Sequence, residues 1–134
     1  MTHSTDTGKL VLRLMLGGLL LMHGVAKVFN GVDFIVPALT AQGLPGALAY
    51  LAYVGEVIAP LALIFGVFTR FAASVVVINM LFAVGLMHMG QLGDITKTGG
   101  WALELQAFYL FSALAIVLFG AGRFSLGGNS GRYN

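Results

Sequence analysis

Four long apolar stretches, set apart by short polar or glycine-containing breaks, dominate this chain. They cover residues 9–29, 46–68, 71–89 and 101–120. Each is close to the roughly 20 residues a helix needs to cross a ~30 Å hydrocarbon core. Asn30-Gly31 closes the first, and Leu44-Pro45-Gly46 opens the second. Thr69-Arg70 makes a tight turn between the second and third, and Thr98-Gly99-Gly100 precedes the fourth. Short connections make sequential helices antiparallel neighbours. The pattern therefore predicts an all-α fold, a single membrane domain over residues 1–134. Its architecture is an integral membrane four-helix transmembrane bundle running up-down-up-down. The connection over residues 31–45 is longer and not very polar. Phe34, Ile35, Val36, Ala38 and Leu39 can form a short helix there, with Gly43 as its stop. That helix lies on the membrane surface, or acts as a lid over whatever the bundle binds.

Composition supports a lipid environment. Hydrophobic residues make up 58% of the 134 and charged residues only 9%, against roughly 25% charged in a soluble domain. A soluble domain this small could not hide so much apolar surface. The seven Lys/Arg are scattered singly, which excludes a nucleic-acid-binding stripe and makes them topology markers. Lys9, Arg13, Arg70, Arg123 and Arg132 fall on one side with both termini, and Lys27 and Lys97 on the other with Asp33 and Asp94. The positive-inside rule then puts both termini in the cytoplasm, with Trp101 an outer-interface anchor. The chain has no cysteine, so disulfide and thiol chemistry of its own are excluded. The first apolar run contains Arg13, His23 and Lys27 and no A-x-A-like site closes it, which argues against a removed signal peptide.

Ionisable groups inside a span cost about 2.5–3.5 kcal/mol each on insertion scales, so Arg13, Lys27, Glu56 and Glu104 need compensation. In the first helix Arg13, Leu16, Leu20, His23 and Lys27 follow three-four spacing and form one stripe. In the second, Ala49, Ala52, Glu56, Ala59 and Leu63 form another, whose small residues let a neighbouring helix come close. Pro60 lacks an N–H, so the Glu56 carbonyl loses its usual helical partner. Counted at the helical rise, Glu56 lies near mid-membrane, with His23, Lys27, His88 and Glu104 in the outer half. These five are the candidate quinone or proton site. Asn79 and Gln106 are set aside, since they lie about 180° from His88 and 160° from Glu104 around their helices. The bland reading competes throughout: Lys27 or Arg13 can pair with a glutamate to pin the bundle, or snorkel to an interface.

No paired histidines at metal spacing lie on one helix, so no metal site is predicted. His23 and His88 as axial haem ligands differ in depth by roughly 6 Å at the helical rise, a poor match for one haem.

With these residues laid out, the chain resembles the DoxX family of small bacterial membrane proteins. The likeness rests on Arg13-Leu-Met-Leu-Gly17 with His23-Gly24-x-x-Lys27, then Gly43-Leu-Pro45, Glu56 and Gly66-x-x-Thr69-Arg70. It continues through Gly99-Gly100-Trp101-x-x-Glu104 and the tail Gly120-x-Gly122-Arg-Phe-Ser125-Leu126, where Gly127 stands in place of an Asp often found in the family. The resemblance implies a multi-pass protein of the bacterial cytoplasmic (inner) membrane. It also implies association with membrane redox chemistry, because relatives include the membrane subunit of thiosulfate:quinone oxidoreductase and others linked to oxidative-stress complexes.

Three functions follow as expectations. The first is a quinone-interacting or membrane-anchoring subunit, with His23, Lys27, Glu56 and Glu104 supplying hydrogen bonds and protons and Phe108 and Phe111 as walls. No covalent cofactor is implied, and a redox protein partner or bound cofactor would deliver electrons. The second is a small-solute or proton transporter built around Glu56 beside Pro60, working as a homo-oligomer. The third is a non-catalytic scaffold that holds a soluble enzyme at the bilayer. Whether the chain is an enzyme stays open at this level.

Overall fold

The computed structural model describes residues 2–129 and 131–134. Regular structure among the described residues is helical, apart from one isolated bridge between Ile95 and Trp101. Helix α1 (His3–Asn30) begins at Thr2, whose hydroxyl accepts the Thr5 N–H at 3.3 Å. It ends at Gly31, whose φ of 83° lets its N–H turn back to the Lys27 carbonyl at 2.7 Å. The helix starts six residues earlier than the apolar stretch, because the Thr2 cap and Asp6 in the first turn suit a helix start.

The connection that follows α1 folds into a 3₁₀ turn (Asp33–Ile35) and the short helix α2 (Val36–Ala41). Gly43 stops it with a φ of 74°. Val32, Leu39 and Ala49 bury one another there, flanked by Ile35, Leu44 and Leu86. This segment is a small packed cap on one end of the bundle.

Helix α3 (Gly46–Phe65) is not uniform. It starts as a 3₁₀ turn (Gly46–Tyr50), becomes α-helical over Leu51–Tyr53, widens to a π-turn over Val54–Ile58 and returns to α over Ala59–Phe65. Pro60 explains the widening. An α-helix would aim the residue-60 N–H at the Glu56 carbonyl, and proline has none; the Ala59 N–H bonds instead to the Val54 carbonyl, five residues back. Gly66, in the left-handed region at φ 72°, ends α3. Phe68 at φ 46° is the one non-glycine residue with positive φ among the described residues, and α4 (Thr69–Met87) starts directly after it.

Helix α5 (Glu104–Phe119) has 16 residues, about 24 Å at the helical rise. It is shorter than its apolar stretch because Trp101 lies in the bridge to Ile95 and residues 102–103 form a turn. Helices α1, α3 and α4 are long and apolar enough to cross a membrane, and α5 is apolar but shorter. Leu16, Leu20, Leu63, Val76, Ala113 and Ile116 meet at the centre. Outside, Met22, Phe82, Phe108 and Leu118 are exposed, as expected where lipid is the solvent.

At the end where α1 begins, Arg13 is 1% exposed. Its Nε donates to the Leu63 carbonyl at 2.9 Å and one Nη to Ile64 at 3.2 Å. The other Nη donates to Ala121 at 2.7 Å and Phe124 at 3.0 Å. The guanidinium thus caps the carbonyl end of α3 and binds the chain that follows α5, a favourable place for a cation. Arg13 is satisfied by backbone rather than by a glutamate. Arg70 does the same for α5, donating to Val117 at 2.8 Å and Leu118 at 3.2 Å. The tail is laced across this end: Leu126 N–H meets the Phe65 carbonyl at 3.0 Å, and the Asn134 side chain accepts the Thr69 N–H at 3.0 Å.

Candidate functional site

Glu56 lies in the π-turn of α3, buried at 5% exposure. Lys27, in the last turn of α1, donates from Nζ to Glu56 Oε2. The approach depends on glycine. A Cβ on Gly24 would lie 1.9 Å from the Glu56 carbonyl oxygen, and one on Gly55 would lie 2.5 Å from the Asn79 side chain. Thus α1 and α4 both press on α3 at the residues around the carboxylate. From the cap, the Phe34 ring stands 5.9 Å from Lys27 Nζ, a cation–π distance. The Tyr53 hydroxyl donates to the Lys27 carbonyl at 3.1 Å. An unpaired lysine and an unpaired carboxylate would each be costly here; paired and hydrogen-bonded, they become tolerable.

The five sequence-derived candidates divide into three places. Lys27 and Glu56 form the ion pair. His23 lies one position off the buried stripe, which runs Arg13, Leu16, Leu20, Gly24; it is exposed, and its ring meets Tyr109 edge-on at 5.8 Å. His88 follows the end of α4, with Nδ1 2.9 Å from Gln91 Oε1 and Nε2 3.5 Å from Gln106 Nε2. Gln106, set aside on angular grounds, therefore belongs with His88, and its Oε1 is buried without a partner among the described residues. Glu104 is exposed and makes no ion pair with Lys27; its carboxylate lies over Gly100.

Glu104 does share a groove with Tyr109. The groove, of about 470 Å³, lies between α1 and α5 and is mostly apolar, with Leu12, Leu19 and Phe108 among its lining. It exists because α1 packs less extensively on α5 than on α3. Glu104, Tyr109 and Ser112 supply its polar atoms. Phe108 lines it, whereas Phe111 is 64% exposed and is not among its lining residues. Tyr109 was not among the sequence candidates. It is 7% exposed, touches His23 and lines the groove. The signal for it was present: Tyr109, Ala113 and Ile116 are spaced four and three and form the buried face of α5. A larger cleft of about 580 Å³ between α3 and α4 is almost wholly apolar and offers no comparable chemistry.

Comparison with known proteins agrees with this architecture. The DoxX family model matches residues 8–89. The chain belongs to the DoxX family. This DoxX protein is therefore a multi-pass membrane protein, consistent with its apolar helices. It is 29% identical over 119 residues to an uncharacterized protein of Haemophilus influenzae, covering 86% of this chain and 84% of that one. It is 33% identical over 87 residues to a Bacillus subtilis protein named "Putative oxidoreductase CatD", covering 65% of this chain and 60% of that one. No solved structure matches.

Proposed function

We propose that this DoxX protein is a quinone-interacting subunit of a membrane redox system. In this reading it crosses the cytoplasmic membrane four times, with both termini in the cytoplasm. Lys9, Arg13, Arg70, Arg123 and Arg132 then gather at the cytoplasmic end, in keeping with the positive-inside rule. The Lys27–Glu56 pair and its cap lie toward the other face. The redox assignment draws on the oxidoreductase name of the B. subtilis relative.

One observation carries the quinone reading. Tyr109, on the buried face of α5, lines a mostly apolar groove between α1 and α5 together with Glu104, and His23 meets its ring edge-on. A lipid-soluble redox carrier needs an apolar slot reached from the bilayer, with proton-bearing groups at its polar end. The groove between α1 and α5 supplies the slot, and Tyr109 and Glu104 line it. The chain brings no cysteine, so electrons come through a partner protein or a bound cofactor. The Lys27–Glu56 pair holds the Glu56 carboxylate in place.

The test is binding of a short-tailed benzoquinone to purified protein in nanodiscs, followed by the rise in melting temperature. A dose-dependent rise that Phe108→Ala or Tyr109→Phe weakens supports the reading. No response to the quinone or to its reduced quinol in the unaltered protein rejects it.

A further inference from the structure

The polar atoms of the α1–α5 groove are unequal in what they ask of a ligand. Among the described residues, Glu104, the Tyr109 hydroxyl and the Ser112 hydroxyl make no hydrogen bond to protein. These groups are reachable from the groove, so a ligand seated there can meet them. Glu104 is exposed and sits in the first turn of α5, where the helix dipole favours a negative charge. An ionised carboxylate accepts hydrogen bonds and donates none.

A quinone presents only carbonyl acceptors, and acceptor facing acceptor is repulsive. Its reduced form, the quinol, presents two hydroxyl donors. We infer that the groove selects the quinol form, one ring hydroxyl donating to the Glu104 carboxylate and the other meeting Tyr109. This rests on the quinone reading above and specifies which redox state the same groove holds. Glu104 and Tyr109 are five residues apart on α5 and both line the groove, so a six-membered ring seated there, with hydroxyls at opposite ends, can meet both. The groove continues past Phe108 to Ser112 and Leu12, about 12 Å from Glu104 along the helix. That apolar length receives the tail, which enters sideways from the bilayer. The Lys27–Glu56 pair takes no part in this selection, since Lys27 contacts Glu56 and not Glu104.

Binding of a short-tailed benzoquinol, held reduced under anaerobic conditions, and of the matching quinone is measured by calorimetry on the protein in nanodiscs. The quinol is expected to bind at least about tenfold tighter, the scale of one hydrogen bond to a charged group. Glu104→Gln, whose amide both accepts and donates, should bring the two affinities within about threefold while keeping quinone binding. Because Glu104 is exposed, this variant retains the fold, checked by an unchanged melting temperature without ligand. Equal affinities in the unaltered protein, or an undiminished quinol preference in Glu104→Gln, overturn the inference and leave the quinone reading standing. Binding of neither form overturns both.

Discussion

The α-carbon of Gly24 sits directly against the backbone carbonyl of Glu56, so close that a single added methyl would lie 1.9 Å from the oxygen. Pro60 removes the N–H that an α-helix would give that carbonyl, and Gly24 brings its α-hydrogens to it, a weak but real donor. This contact, with that of Gly17 on Pro60 and Ile64, sets how near α1 comes to α3, and with it the reach from Lys27 to Glu56.

Gly24→Ala is expected to force the two helices apart, because the opposing atoms are backbone and cannot swing away. A cost of about 1–3 kcal/mol is typical of overpacking. It should appear as a lower melting temperature in detergent, whereas Gly18→Ala, with open space at its Cβ, should be neutral.

The ion pair makes a sharper case. Lys27→Met and Glu56→Leu should each destabilise by about 3–5 kcal/mol, as expected when one member of a buried pair is removed. The double variant should recover much of the loss. The same cycle with Glu104→Leu should be additive, since Glu104 is exposed and unpaired with Lys27. A double-mutant cycle on melting temperature measures both. Coupling between Lys27 and Glu104 equal to that with Glu56 would contradict the geometry.

Function at Glu56 can be separated from stability. Glu56→Gln keeps size and hydrogen bonding but loses the exchangeable proton. The protein is expected to reach the membrane and to fail in a complementation assay. Full activity would remove proton exchange at Glu56 from the mechanism.

Topology has a direct measurement, because the chain has no cysteine. Thr96→Cys, in the connection before α5, should react with an impermeant maleimide in intact cells. Ser4→Cys, in the first turn of α1, should react only after permeabilisation. The reverse pattern would invert the orientation.

Much of this was readable from the sequence, and the failures have specific causes. Glu56 and Lys27 stood out because ionisable groups in apolar runs demand partners. The pairing of the two was one of several options, since depth says nothing of direction around a helix. Tyr109 was missed because α5 was read from Glu104 outward; five residues correspond to about 140° of rotation, so the Glu104 face and the buried face differ. Gln106 was set aside because it lies about 160° from Glu104 around one helix, an angle that says nothing of His88, which reaches Gln106 from beyond the end of α4. The π-turn was half-visible, because Pro60 announces a lost hydrogen bond without saying how the backbone absorbs it. Arg13 was out of reach altogether, since its acceptors lie 50 and more residues away and are carbonyls, which carry no sequence signature.

That arrangement also has a bearing on the order in which the molecule is made. Arg13 enters the bilayer with the first helix, yet two of its four acceptors lie 108 and 111 residues downstream. Until Ala121 and Phe124 have been synthesised, the guanidinium has at most the carbonyls of Leu63 and Ile64. A chain halted short of that point leaves the guanidinium without two of its acceptors, so the first helix completes its polar contacts only when the segment after the last helix is in place.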